Sequence, residues 1–494
     1  MTRFSERTIT VEAPAPAPLA AGPTLALTSA ATAVALMTYT APMVTLPDIA
    51  AALHTPLSAQ AWLLNGTPLG LAALLLVAGS LADDYGRRRI FVAGTLALGL
   101  TTVLGAFAST TWLFTLARIA QGAASAALLA SSLGLIVHAY PTPAGRLRAT
   151  GGWGAFVSGG IAVGPIVTGA MPSWRLSYVV LGAAAVVVGV LSARALPYFG
   201  EGEGRGMPGV VAEGKVTSDL VTEGKVTPDL VAREQVPLGG HASRSPRGGR
   251  PDIGGAVAFG SALVALVAAL TLGRDGWLRA PVGLLLLASL VLLALFVMVE
   301  RRAARPMIDL GLLRRPRFLA SSVGGLFTGL AVIGLFSFLP ALLQQTMRLS
   351  PMDTAWLFLL WSGLSFAVAL QVRRLSGRVH PRLQLTLGFL LHAAGVLTML
   401  GSLDSDSWTR LLPGLIVAGV GSGLLNAALP LLAVESVPAQ RAAMGSGAQQ
   451  TLRYVGSCAG VALTIALATS SGGGLARGAD VAMVVSAGLA VVAG

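Results

Sequence analysis

The chain has 494 residues, 54% of them hydrophobic and only 11% charged, with a mean hydropathy of +0.75. Ordinary water-soluble domains carry about 25% charged residues, which excludes water as the solvent for most of this surface. A net charge of +13 suggests nucleic acid in a soluble protein; among long apolar runs it reads as a membrane-orientation signal, and no nucleic-acid partner is expected.

Residues 1–23 form a polar, then Pro/Ala-rich stretch, expected to be disordered and cytoplasmic. The apolar run behind it is too long for a signal-peptide core and has no cleavage site, so it is a retained first span. Spanning helices need about 20 mostly apolar residues. Fourteen candidates meet this, at 25–49, 59–82, 90–108, 111–137, 150–170, 176–196, 253–272, 281–299, 318–342, 351–370, 383–401, 411–434, 444–469 and 481–494. The last is the shortest. With both termini in the cytoplasm, the Lys and Arg residues of the loops favour the inner side by about four to one, the positive-inside pattern.

The fold class is therefore an all-α polytopic membrane protein with 14 spans. An N-terminal six-helix bundle occupies 24–199 and a C-terminal one 318–494. Between them lie a disordered cytoplasmic linker at 200–251, two extra transmembrane helices at 252–300 and a basic cytoplasmic loop at 301–317. The linker repeats itself, as "EGKVTSDLV" at 213–221 and "EGKVTPDLV" at 223–231, and has too few apolar residues to build a core.

Cys458, the only cysteine, allows no internal disulfide or cysteine-cluster metal site, and the five histidines lack ligand spacing. No metal and no other cofactor is expected. The chain has no GxxxxGK[ST] loop to cradle phosphates, so ATP does not drive it directly, and no enzymatic activity is expected.

"GSLADDYGRRRI", 79–90, concentrates charge between two apolar runs. Gly79 and Gly86 permit close approach and a tight turn. Asp83, at the membrane–cytosol boundary, can pair with an arginine or meet a helix N-terminus, making a contact that holds in one arrangement of two bundles and breaks in the other. The same residues also suit a plain orienting loop. In the fourth span, Arg118 is costly to bury, at about 2.5–3.5 kcal/mol, so it faces a partner or a cavity. Asp48, near the outer end of the first span, is one partner; backbone carbonyls are the other. In the fifth span, Gly160 and Gly164 share a face that admits a neighbouring helix, and Pro165 frees a carbonyl and bends the helix.

These segments together resemble the major facilitator superfamily. The loop pattern G-x-L-A-D-x-x-G-R-[RK] is met by Gly79, Leu81, Ala82, Asp83, Gly86, Arg87 and Arg88, with Asp84 where the family more often has a basic residue. R-x-x-Q-G is met by Arg118, Gln121 and Gly122. The exporter pattern G-x-x-x-G-P-x-x-G-G is met by Gly160, Gly164, Pro165 and Gly169, with Thr168 replacing one glycine. "PMIDLGLLRRPRF" and "TLRYVGSCAG" resemble the 14-span drug:proton antiporter branch.

The resemblance implies the major facilitator fold and alternating access. It implies a gating role for the Gly79–Arg88 motif and proton coupling through Asp48, Arg118 and Gln121. It further implies export of a drug-like or antibiotic-like amphiphile from the cytoplasm in exchange for protons. The partners are a small-molecule substrate, protons and membrane lipid, and the working unit is a monomer in the cytoplasmic membrane. Tyr39, Asn65, Gln121, Phe156, Gln344 and Asn426, polar or aromatic in apolar helices, are candidates to line the substrate cavity.

One departure shapes the substrate reading. Relatives often carry an acid nine residues before the Pro of an "LP" pair; here that position is Thr38. All 21 carboxylates lie in termini, loops or near helix ends, leaving boundary acids or His392 to carry protons if any are carried. With Arg118 and Arg453 as embedded charges, a neutral or anionic amphiphile fits better than a cation. The alternatives are a nutrient facilitator or importer on the same scaffold, and a non-transporting receptor.

Overall fold

The computed structural model describes residues 21–140, 142–196, 253–273, 279–302, 315–374, 381–405, 407–437, 442–470 and 473–494. The expected N-terminal tail, the linker with its repeat, and most of the 301–317 loop lie outside the described residues.

Among the described residues the regular structure is helical, without strands. The first half contains α1 (Ala21–Ala52), α2 (Gln60–Tyr85), α3 (Arg87–Ala106), α4 (Thr111–Ala139), α5 (Pro143–Gly169) and α6 (Trp174–Ala195). Then come α7 (Ile253–Gly273) and α8 (Ala280–Arg302). The second half contains α9 (Pro316–Thr346), α10 (Pro351–Arg374), α11 (Pro381–Thr398), α12 (Leu411–Glu435), α13 (Ala442–Ser470) and α14 (Leu475–Ala493). Thr110, Thr142 and Ser173 cap α4, α5 and α6 by accepting from the backbone N–H of Leu113, Gly145 and Leu176, satisfying donors left free at a helix start.

Eleven of these helices are long and apolar enough to cross a membrane. The helices found at 60–85, 253–273 and 381–398 stand where spans were expected but fall outside that set. Helix ends reach further than the apolar runs, because polar and charged residues continue a helix beyond the hydrocarbon. The fifth and last helices show this most: one begins at Pro143, not 150, and takes in Arg146 and Arg148, and the other begins at Leu475, not 481, and takes in Arg477, all of which the sequence placed in loops.

In the first half, α4 packs on α2 and α3, α3 on α6, and α5 on α1; in the second, α12 packs on α10 and α11, α13 on α9, and α14 on α11 and α13. Three seams join the halves: α2 with α13, α5 with α10, and α1 with α9. The α7–α8 pair lies across the first seam, with Ala258, Phe259 and Leu263 of α7 packed among Trp62, Leu69 and Ala72 of α2 and Cys458 of α13. Leu284, Leu287 and Leu290 of α8 point away from the protein and are exposed, a surface suited to lipid tails and not to water.

α9 is interrupted by a π-helical segment, Thr328–Ile333. There it meets α13 almost backbone to backbone: a Cβ added at Gly334 would stand 2.5 Å from the Gly460 Cα. Such small-residue seams are how helices associate in lipid.

Candidate functional site

Arg118 is fully buried, at 0% exposure. One terminal nitrogen donates to the Thr38 carbonyl at 2.7 Å and to Gln121 Oε1 at 3.0 Å, and the other to the Tyr39 carbonyl at 3.2 Å. Nε has no partner. The acceptor at Thr38 has a local cause. Pro42, inside α1, lacks the N–H that would bond the carbonyl four residues back, so Thr38 offers a free carbonyl to the guanidinium. Gln121 is also fully buried, and its Nε2 donates to the Thr101 carbonyl at 3.4 Å, tying α4 to α3.

Of the two partners the sequence allowed Arg118, the structure takes the backbone. Asp48 is exposed near the end of α1, and no ion pair joins it to Arg118. The pairing of these two residues is therefore corrected: α1 aims the Thr38 and Tyr39 carbonyls at Arg118 and does not also bring it the carboxylate. The backbone of Thr38, where relatives often carry an acid, occupies the guanidinium instead.

The α5 glycines behave as their spacing suggested. A Cβ at Gly160 would stand 2.6 Å from the Ala33 carbonyl oxygen of α1, and one at Gly164 would stand 2.8 Å from the Met37 Cα. Gly169 faces the other half, where a Cβ would stand 3.2 Å from the Pro351 carbonyl oxygen at the start of α10. Pro165 lies within α5, and Thr168, standing where the family has glycine, donates its hydroxyl to the Gly164 carbonyl at 3.0 Å, which reinforces a bend at this point. α5 is thus clamped to both halves toward its Gly169 end. Toward its other end, a Cβ at Gly151, Gly152 or Gly159 meets nothing within 4 Å.

The charged turn is tighter than a loop. α2 runs on to Tyr85, and Gly86 alone, at φ +92°, separates it from α3; only glycine takes that conformation without strain. Gly79, in contrast, has nothing within 4 Å of a Cβ position, so the expectation of close backbone approach there is corrected; Leu81 is half-buried beside it. Arg87 donates to the Gly134 carbonyl of α4 at 3.1 Å. Arg88 donates to the Leu196 carbonyl at 2.8 Å and to that of Ala193, at the end of α6, a favourable place for a cation on a helix C-terminus. These bonds hold the first half together. The Asp83 side chain lies outside the described residues.

The cavity candidates divide. Tyr39 is buried at the seam, with its ring edge-on to Tyr454 of α13 at 6.2 Å between centroids. Asn65 is fully buried and donates across to the Cys458 carbonyl at 2.9 Å. Gln344 bridges the halves by donating to the Val44 carbonyl at 2.8 Å, and also reaches Thr354 Oγ1 at 3.1 Å. Asn426 donates to Ser365 Oγ at 3.2 Å within the second half. Phe156 is 51% exposed, one turn from Gly160. So Asn65 and Gln344 pin the halves together, while Phe156 takes no part in that contact. The sequence reading missed Pro42 as the maker of the Arg118 site; the signal was a proline four residues after Thr38.

Comparison with known proteins fits this geometry. The sequence profile of the Major Facilitator Superfamily matches residues 28–233 and 253–461. The puromycin resistance protein pur8 of Streptomyces alboniger is 30% identical over 437 residues, 87% of this chain and 78% of that protein. The multidrug resistance protein Stp of Mycobacterium tuberculosis is 29% identical over 85% of this chain and 71% of its own length. The multidrug efflux pump LfrA of Mycolicibacterium smegmatis is 27% identical over 84% and 75%. Among solved structures, a bacterial homolog of the human lysosomal transporter Spinster, inward-facing and unoccupied, superposes with a TM-score of 0.64 at 14% identity, covering 97% of this chain and 96% of that one. The human organic anion transporter MFSD10 gives 0.58 at 15%, covering 96% and 99%. With its profile match, two bundles joined at three seams and relatives that are drug efflux pumps, the chain belongs to the major facilitator superfamily of membrane transporters.

Proposed function

We propose that this chain exports a neutral or anionic amphiphile of drug-like size across the cytoplasmic membrane in exchange for protons. All fourteen helices cross, both termini are cytoplasmic, and the monomer is the working unit. The drug resistance proteins and the efflux pump that match more than four-fifths of the chain support export. One observation carries the substrate class. Arg118 is buried beside the seam between the halves and held by carbonyls and an amide, without a carboxylate to neutralise it. Arg453 adds a second cation on α13, next to the Tyr454 ring that meets Tyr39. Such a centre attracts anions and repels cations.

Access alternates by parting the halves on either side of this centre. The contacts of Gln344 with Val44 and of Gly169 with Pro351 form the outer seal. The open stretch of α5 from Gly151 to Gly159 lines the route from the cytoplasm. The Gly79–Arg88 turn stands at the cytoplasmic rim, where Asp83 acts as the latch of the other arrangement.

Energised inverted vesicles from a pump-deficient bacterium test this reading. Expression of the chain should drive uptake of radiolabelled fusidate, an amphiphilic carboxylate that acts inside cells, and leave the cationic dye ethidium unmoved. Robust ethidium uptake without fusidate uptake would overturn the charge assignment, and efflux of fusidate from these vesicles would overturn the direction.

A further inference from the structure

The second half buries the one histidine that the sequence offered, beside the boundary acids, as a proton carrier. His392 of α11 is 0% exposed, and neither ring nitrogen has a hydrogen-bond partner. Burying a polar group without a partner is costly, and ionisable residues inside spans mark function by default. The chain nevertheless keeps the imidazole here, in an aromatic box. The Phe336 ring of α9 lies 5.7 Å from it between centroids and itself stacks on Trp361 of α10 at 4.2 Å and 17°. Trp361 Nε1 is a second buried donor without a partner. From α12 the backbone closes in at Gly421, where a Cβ would stand 2.6 Å from the His392 amide nitrogen.

Nothing charged competes for the ring. α9 presents Phe336, with Trp361 of α10 behind it, and the α12 backbone approaches at Gly421; no hydrogen bond reaches either ring nitrogen. The charged residues Asp353, Arg410 and Glu435 lie at helix ends. α14, packed on α11, carries Arg477 and Asp480 in its first two turns, and Asp480 accepts from the Gly401 amide beyond the end of α11.

The lid of the box is built to move. Phe336 follows the Thr328–Ile333 π segment by three residues, and π turns concentrate at functional sites. Pro340, four residues on, cannot donate to the Phe336 carbonyl, so the helix is weakened on both sides of the lid. The same helix carries Gln344 of the outer seal, eight residues past Phe336.

Resting on the proton-exchange reading, we propose that His392 is the proton-binding residue of the transport cycle and that Phe336 gates water to it. With the lid displaced, the unshared pair of one imidazole nitrogen takes a proton from a hydronium ion of the admitted water, leaving neutral water behind. The imidazolium then carries N–H on both nitrogens, and it returns that proton to water on the opposite side of the membrane.

Two measurements decide it. In proteoliposomes, an imposed pH gradient should drive fusidate accumulation by the wild type. His392→Gln should lose at least tenfold of that accumulation while fusidate exchange without a gradient stays within threefold. Gradient-driven accumulation that survives His392→Gln overturns the proposal. Exchange without any response to the gradient in the wild type overturns the antiport reading and this proposal with it. The second measurement needs no transported probe. Carbon-13 NMR of histidine-labelled protein in lipid nanodiscs identifies the His392 signal by its loss in His392→Gln. Phe336→Ala should raise its protonated fraction at pH 5.5 at least fivefold. A signal that stays neutral from pH 8 to 5 in both wild type and Phe336→Ala overturns the proposal whatever fusidate does.

Discussion

Both halves of the transporter bury a nitrogen-bearing side chain, and they treat it in opposite ways. In the first half, Arg118 is met by two carbonyls of α1 and by Gln121. A proline one turn along makes one of those carbonyls available. In the second half, His392 sits among rings and backbone with both nitrogens unpartnered. A cation that is hydrogen-bonded by the frame is fixed in charge and place, and a permanent guanidinium suits that. A titratable ring left without partners is free to change state when its surroundings change. On the proposed reading the comparison divides the labour: Arg118 supplies a constant charge and His392 a variable one.

Substituting Arg118 breaks the first side of the comparison most severely. Arg118→Leu leaves the Thr38 carbonyl, already deprived of its helix donor by Pro42, buried without a partner, at a cost of about 1–3 kcal/mol, and removes the second bond to the Tyr39 carbonyl. Fusidate uptake into inverted vesicles is expected to fall by at least about tenfold, the rate equivalent of about 1.4 kcal/mol, at matched expression. Arg118→Lys keeps the charge but not the fork of donors, and should recover only part of the loss.

A gentler change reaches the same site through the backbone. Pro42→Ala returns an N–H to α1 that reclaims the Thr38 carbonyl, so Arg118 loses one charge-assisted bond without being touched. Such bonds contribute about 1.5–3 kcal/mol, part of it recovered by the straightened helix, so uptake should fall about three- to tenfold. Pro42→Ala at wild-type rate would show that the freed carbonyl is incidental.

How far the sequence disclosed these arrangements follows from what each depends on. Helix positions depend on local hydropathy, and 111–137 or 411–434 are found within a few residues as Thr111–Ala139 and Leu411–Glu435. The Gly160 and Gly164 face depends on a four-residue spacing within one helix, and it admits a neighbouring helix as expected; that this helix is α1 is a tertiary fact. The partners of Arg118 depend on which carbonyls are free and which helix lies beside α4. The first is local and readable from Pro42; the second is a tertiary fact. A search for an opposite charge looked to Asp48, because carbonyls carry no residue-type signature. The box around His392 was hidden for the same reason: Phe336, Trp361 and Gly421 come from three separate helices, and each alone is an ordinary apolar position.

The second side of the comparison is sharpened by a change in stability. Replacing an unpartnered buried polar ring with an apolar one of similar shape removes a desolvation cost of about 1–3 kcal/mol. His392→Phe should therefore unfold at an equal or higher temperature than the wild type in detergent, by a few degrees, while losing gradient-driven transport. That exchange of function for stability is characteristic of sites held in an unfavourable state for use. A lower unfolding temperature would mean that the imidazole makes contacts that matter to the frame.

The smallest effect is expected at Asp48, and it tests the division itself. The residue is exposed near the end of α1 and makes no ion pair; although it stands one turn beyond the Val44 carbonyl that Gln344 reaches, Asp48→Asn removes a charge that no partner uses. Such surface changes stay within about 0.5 kcal/mol, and fusidate uptake should remain within about twofold of wild type. A carboxylate that carried the transported proton would behave otherwise, since an amide cannot titrate: accumulation under a pH gradient would collapse while exchange persisted. That outcome would place the variable charge in the first half, beside the constant one, and leave His392 as a packing residue.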